Sequence, residues 1–225
     1  MERRLSVEAE WHGVLLQREE LNSSWVRSTD MLADAARDGA WTRVFELLDG
    51  RGVDFAVGVN DWRRGGTSWF SPLHQAAWHG APIDVVENLV NRGAWRTLRD
   101  AHGRRPIDIA LERGAEHLAN VLEPRFVHPV LDRALTAMSA ALAELVAAAA
   151  RQAECVAPIR HLDAACLAET DANAWFPIPG MYGGFSAQMF HGRLHVESWS
   201  RVVGGSGRAY VISGDRTTLV DEGFV

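Results

Sequence analysis

The stretch Ser71-Pro72-Leu73-His74-Gln75-Ala76-Ala77-Trp78-His79-Gly80 decides how this chain is read. Ser71 is suited to cap a helix whose first position is Pro72, where a missing N–H costs nothing. Ala76 and Ala77 are small enough for a second helix to approach closely, and Gly80 supplies a left-handed stop. Val85, Val86, Leu89 and Val90 follow with the spacing of one apolar helix face, closed by Gly93-Ala94. The same order recurs on both sides. Upstream, Asp30-Met31-Leu32-Ala33-Asp34-Ala35-Ala36-Arg37-Asp38-Gly39 precedes Val44, Leu47 and Leu48. Downstream, Arg105-Pro106-Ile107-Asp108-Ile109-Ala110-Leu111-Glu112-Arg113-Gly114 precedes Leu118, Val121 and Leu122, and the pattern stops at Pro124. The first closing glycines, Gly39, Gly80 and Gly114, are spaced by 41 and 34 residues; Gly39 to Gly52 and Gly80 to Gly93 are each 13.

A helix-pair unit repeating at roughly 33 residues resembles the ankyrin repeat. The resemblance covers about Thr29 to Pro124, and the middle copy carries most of it. The first copy lacks the proline, and the third has Arg105 and Asp108 where the family usually places Thr and His. Terminal repeats are expected to depart in this way, because one side meets no further repeat. The resemblance implies a solenoid of about three repeats whose concave side holds another molecule. It also implies that the His74 ring ties neighbouring turns together instead of performing chemistry.

Outside the repeats, numbers 1–28 are expected to form a helical lead-in or cap, with Val7, Trp11, Val14, Leu15 and Leu21 on a rough helical period. Numbers 125–171 are expected to be a helical connector. Its main helix carries the stripe Leu131, Leu135, Met138, Leu142, Leu145 and Val146. The alanine-rich run Ala134 to Ala150 is short for a membrane span, so a packed helix is the expectation. From 172 to 225 the pattern changes. Phe176-Pro177-Ile178-Pro179-Gly180-Met181-Tyr182-Gly183-Gly184 is incompatible with regular helix. Four extended runs follow: Phe185 to Phe190, Leu194 to Val203, Ala209 to Ser213, and Thr217 to Val220. Glycine-bearing breaks between them predict a small four-stranded antiparallel meander with one face packed. The expected fold is thus mainly α, with ankyrin repeats at 29–124 and a C-terminal β part. That C-terminal part resembles the tails of bacterial ankyrin-repeat proteins, a likeness that implies no activity.

The 225 residues include no lysine, so all 23 basic residues are arginine, a bias that fits a GC-rich genome. The net charge of −6 gives no overall attraction to nucleic acid or anionic membrane. With only Cys155 and Cys166, no disulfide framework is indicated. Met1-Glu2-Arg3-Arg4 does not open an apolar signal run, and a cytoplasmic protein with no membrane partner is the expectation.

Candidate contact residues come from the two inter-repeat fingers, 60–70 and 95–104, and from the first helix of the middle copy. They are Trp62, Arg63, Arg64, Trp69, Gln75, Trp78, His79, Trp95, Arg96 and Arg99. Tryptophan and arginine dominate binding hot spots; the competing reading places the tryptophans in the core. The fingers carry Arg63, Arg64, Arg96, Arg99, Arg104 and Arg105 against Asp61 and Asp100, a local excess of four positive charges. The acidic remainder keeps nucleic acid a minor expectation. Cys155, His161 and Cys166 lack a fourth ligand and the spacing of a zinc finger. Arg208 after Gly204-Gly205-Ser206-Gly207 rules out a nucleophile elbow. No catalytic, metal or cofactor residues are assigned. A non-enzymatic module binding a protein or peptide is the leading expectation. The alternative makes the C-terminal β part a small ligand-binding or catalytic domain, motivated by Tyr182, His191 and His195 near its turns.

Overall fold

The computed structural model describes residues 9–201 and 206–223. The chain divides into two compact units, one of Leu16–Arg125 and one that joins Met1–Leu15 to Phe126–Val225. Helices dominate the first, and a six-stranded mixed sheet dominates the second.

In the first unit, helices α1 (Ser23–Arg37), α2 (Trp41–Leu48), α3 (Pro72–His79), α4 (Ile83–Asn91), α5 (Pro106–Glu112) and the short α6 (Ala119–Leu122) follow as three successive pairs. Helix α1 packs on α2 and α3; α3 packs on α4 and α5; α4 packs on α6. Gly39, Gly80 and Gly114 all take the left-handed conformation, with φ of 69°, 56° and 71°, that lets each first helix end at the same place. Leu32, Val44, Leu47, Leu73, Ala76, Ala77, Val86, Leu89, Ile109, Leu118 and Leu122 share one apolar core. The alanines at the helix crossing leave room for that approach, so each pair buries its neighbour's face.

Helix α1 begins at Ser23, a full two turns before the expected start of the first copy, because Asn22 Oδ1 accepts from Ser24 and Trp25 N–H at 2.9 and 3.1 Å. Of the helical lead-in expected over 1–28, the described part is helical from Ser23 on, with a short 3-10 turn at Arg18–Glu20, and the stretch around Trp11 and Val14 is not helix; Val7 lies outside the described residues. Strand β1 (Ala9–Glu10) instead runs parallel to β2 (Ala174–Ile178). Backbone pairing overrides the helical period there. Trp11 N–H donates to Trp175 O at 2.8 Å, Arg160 N–H to Gly13 O at 2.7 Å, and Leu15 N–H to Pro158 O at 2.8 Å. The Trp11 indole, 2% exposed, donates to Arg160 O at 3.0 Å.

The sheet has the order β1-β2-β3-β4-β5-β6, with β3 (Gly183–Phe190), β4 (Arg193–Ser200), β5 (Ser206–Ser213) and β6 (Arg216–Gly223) joined as antiparallel hairpins. The expected meander therefore holds four of six strands. The two additional strands were hidden by the shortness of β1 and by Pro177 in β2. That proline is tolerated because β1 pairs only with Ala174 and Trp175, leaving the edge beside Pro177 free. Val203 and Gly204-Gly205, expected at the end of a strand and in a turn, lie outside the described residues.

The connector holds α7 (Asp132–Gln152) and α8 (Ala164–Ala168). Leu135, Met138, Leu142, Val146 and Ala150 of α7 are buried, the i, i+3, i+4 face expected from sequence; Leu131, 65% exposed, is the N-cap and stands outside that face. By length and composition, α7 is long and apolar enough to cross a membrane. Gly184 admits no side chain: a Cβ there would stand 2.0 Å from Phe176 O. Gly184→Ala is expected to lower the stability of the sheet unit by about 3 kcal/mol, the upper end for overpacking, read in a denaturant melt.

Candidate functional site

The first finger is built as a rigid support. Asp61 accepts from Gly58 N–H at 2.7 Å and from the Arg64 guanidinium at 3.0 Å. That guanidinium lies 4.0 Å from the Trp62 ring centre and 4.4 Å from that of Trp25. Arg63 pairs with Asp30 at 3.3 Å and with Asp34. Arg18 joins the same cluster, bonding Asp30 at 2.6 Å and donating to Arg64 O at 2.6 Å. Trp62 and Arg64 are 2% and 4% exposed. Their expected role as partner contacts is therefore corrected: they fix the finger to α1.

The second finger turns on Asp100. Its Oδ1 accepts from His102 and Arg104 N–H, each at 2.8 Å, and its Oδ2 from Arg104 Nε at 2.9 Å. Burial alone would raise the Asp100 carboxyl, but these donors outweigh it and hold it below its ordinary value. Asp108 behaves likewise: burial pushes it up, and hydrogen bonds from the Arg105 side chain and N–H bring it down. A carboxylate whose folded pKa is depressed stabilises fully above its unfolded value, about 4. That contribution is lost as pH falls through the lower folded value. The helical unit is thus expected to lose stability on acidification below about pH 4, with a shallower loss in Asp100→Asn, measured by thermal melts across pH.

The fingers also hold each other. Ala101 N–H donates to Ser68 O at 3.0 Å, and Asn60 bridges to Trp95 N–H at 3.0 Å and Gly93 O at 2.9 Å. Trp95, 3% exposed, is a further correction: its ring is core. Arg96 donates to Val121 O at 2.8 Å, and the exposed Arg99 to Gly103 O at 2.7 Å. His74 is wholly buried. Ser71 N–H and hydroxyl meet its Nδ1 at 3.2 and 2.8 Å, while Nε2 lies 3.1 Å from Leu98 O. A backbone N–H only donates and a carbonyl only accepts, so the ring is neutral with its proton on Nε2. It thus ties α3 to the second finger.

What remains accessible is narrower than the sequence suggested. Trp78 is 40% exposed, with the Arg113 guanidinium 4.4 Å from its ring centre and Phe70 edge-on at 6.1 Å. His79, also exposed, donates from Nε2 to Arg37 O at 2.7 Å and meets Trp41 edge-on at 6.0 Å. Gln75 and Trp69 are half-buried. Trp69 has a φ of 57°, two residues before Ser71; two residues before Arg105 stands Gly103, with a φ of 78°. A bulky residue held in a glycine conformation carries about 1–3 kcal/mol of backbone strain. Sequence reasoning missed Arg113 and Phe70. The signal for Arg113 was available: it precedes Gly114 as His79 precedes Gly80.

Carboxylates take up most of the finger charge. Arg63, Arg64, Arg104 and Arg105 pair with Asp30 and Asp34, Asp61, Asp100 and Glu112, and Asp108 respectively. The local positive excess read from the fingers alone omitted the acids supplied by α1 and α5.

The sheet unit carries a cleft of about 390 Å3 lined by Ala148 and Ala149 of α7, by Ala153 just past its end, and by Phe185, Ser198, Arg208 and Tyr210 of the sheet. It opens where α7 changes from Leu142 and Val146 to alanine. His191 and His195 flank the β3–β4 turn with Phe190 between them, at 4.1 and 5.8 Å. Cys155 is half-buried and Cys166 buried. Among the described residues no three His, Cys, Asp or Glu side chains are grouped to hold a metal ion. In comparison with known proteins, no family model and no curated protein matches this sequence.

Proposed function

We propose that Leu16–Arg125 is an ankyrin-type array of three repeats acting as a non-enzymatic interaction module in the cytoplasm. It would hold a protein or peptide on the edge formed by its first helices and finger tips. The recurring left-handed glycines, the helix pairs with a common apolar core, and the interlocked fingers support the repeat reading. One observation carries the functional part. Among the described tryptophans of this unit Trp78 is the exposed one, at 40%, and it stands beside Phe70 and Arg113, whereas Trp62 and Trp95 in the fingers are buried and Trp69 is half-buried. A large indole left outside such a core is the usual anchor of a binding hot spot, where truncation costs about 2 kcal/mol or more.

Trp78→Ala removes no core contact, so its melting temperature should stay within a degree or two of the parent while partner capture falls at least about tenfold. A pull-down with both proteins at matched concentration checks this; equal capture would remove the interaction surface from this edge. A second reading rests on the 390 Å3 cleft of the sheet unit, which is large enough for a small molecule. It predicts that some compound in a metabolite panel raises the melting temperature of the full chain. It further predicts that Tyr210→Ala abolishes the rise.

A further inference from the structure

Resting on that reading, we infer the chemistry of the partner: an extended peptide segment that places a carboxylate beside an apolar side chain, read by Arg113 stacked on Trp78. Most arginines of this unit are neutralised by acids of the same chain. Arg18, Arg27, Arg37, Arg43, Arg51, Arg63, Arg64, Arg92, Arg104 and Arg105 all reach a carboxylate within 3.3 Å. Arg113 reaches none among the described residues; its guanidinium meets only the Trp78 ring, at 4.4 Å. Both side chains are exposed, Trp78 by 40%.

Stacking occupies one face of a guanidinium and leaves its N–H donors radiating in the plane. Those donors form a planar fork that matches the two oxygens of a carboxylate. The indole beneath holds the fork in place, so less freedom is lost when the bond forms. Phe70, edge-on to Trp78 at 6.1 Å, continues the surface as an apolar step. Further along, Arg104 is already held by Asp100 and Glu112 at 2.8 and 2.9 Å, so it adds no second free fork beside Phe70. The surface is therefore bipartite, with one cationic fork next to one aromatic step. Its complement is an Asp or Glu side chain, or a terminal carboxylate, adjacent to an aliphatic or aromatic residue.

The test pans a displayed library of short random peptides against the full chain, then against Arg113→Gln, Arg113→Glu and Trp78→Ala. Peptides enriched on the parent should carry Asp or Glu beside an apolar residue. Synthesised copies should bind Arg113→Gln about ten- to a hundredfold more weakly, as expected for a charge-assisted bond of about 1.5–3 kcal/mol. Panning on Arg113→Glu should replace the acidic residue by Arg or Lys at the same position. Amidated copies separate the two sources: loss on amidation assigns the terminal carboxylate, and retention assigns the side chain. Enriched peptides that depend on Trp78 yet show no acidic preference and ignore Arg113→Glu overturn the carboxylate inference and leave the interaction edge standing. Enriched peptides indifferent to Trp78→Ala overturn the edge itself.

Discussion

Replacing Arg64 with alanine is expected to destabilise the helical unit by about 3–5 kcal/mol, although the residue sits in the loop between α2 and α3. Its guanidinium is 4% exposed, sandwiched by Trp25 and Trp62 and bonded to Asp61, whose side chain is only 11% exposed. Truncation leaves the Asp61 carboxylate without its charge partner and opens a gap between two indoles. Removing one member of a buried pair costs more than the pair itself contributes, because the other charge stays behind. Arg64→Lys keeps the charge but not the flat group that fills the gap, so it should recover only part of the loss. Chemical denaturation read by tryptophan fluorescence measures all three proteins. A change below about 1 kcal/mol for Arg64→Ala would return Arg64 to the solvent-facing role the sequence suggested.

The second large effect belongs to His74. Leucine at this position preserves bulk but abandons two buried groups, the Ser71 N–H and the Leu98 carbonyl. Each buried group left without a partner costs about 1–3 kcal/mol, so His74→Leu should lose about 2–6 kcal/mol. The loss should have a location. Hydrogen exchange is expected to speed up at Ser71, at the start of α3, and through the second finger around Leu98 to Arg104, where the imidazole bridge ends. Uniform acceleration across the unit, with no excess there, would mean that His74 acts only as core volume.

The helices of the first unit were legible because each depends on local chemistry: a capping residue, an apolar period and a left-handed glycine. Gly80 and Ala76-Ala77 announce the turn and the close crossing without reference to distant residues. The finger residues were not legible to the same degree. Whether Trp62 faces water depends on Arg64, Asp61 and Trp25, and Trp25 stands far upstream in a segment with no repeat signal. The same limit applied to charge, since Asp30 and Asp34 neutralise Arg63 only once α1 is brought beside the finger. The first strand was illegible for a different reason. Two residues of β1 pair with Ala174 and Trp175 across most of the chain, and Trp11 and Val14 then fall on a helical period by coincidence. Among the C-terminal strands, the β3–β4 and β5–β6 pairs were legible because Gly192 and Gly214, both at positive φ, carry their turns locally.

Radical footprinting of indoles, with and without a saturating selected peptide, is the sharpest single measurement. In the free protein Trp78 should oxidise readily while Trp62 and Trp95 stay protected. Added peptide should shield Trp78 and leave the other two unchanged. Binding that leaves Trp78 as reactive as before, with protection moved to the sheet unit at Trp175 or Trp199, would contradict the assignment of recognition to the repeat edge.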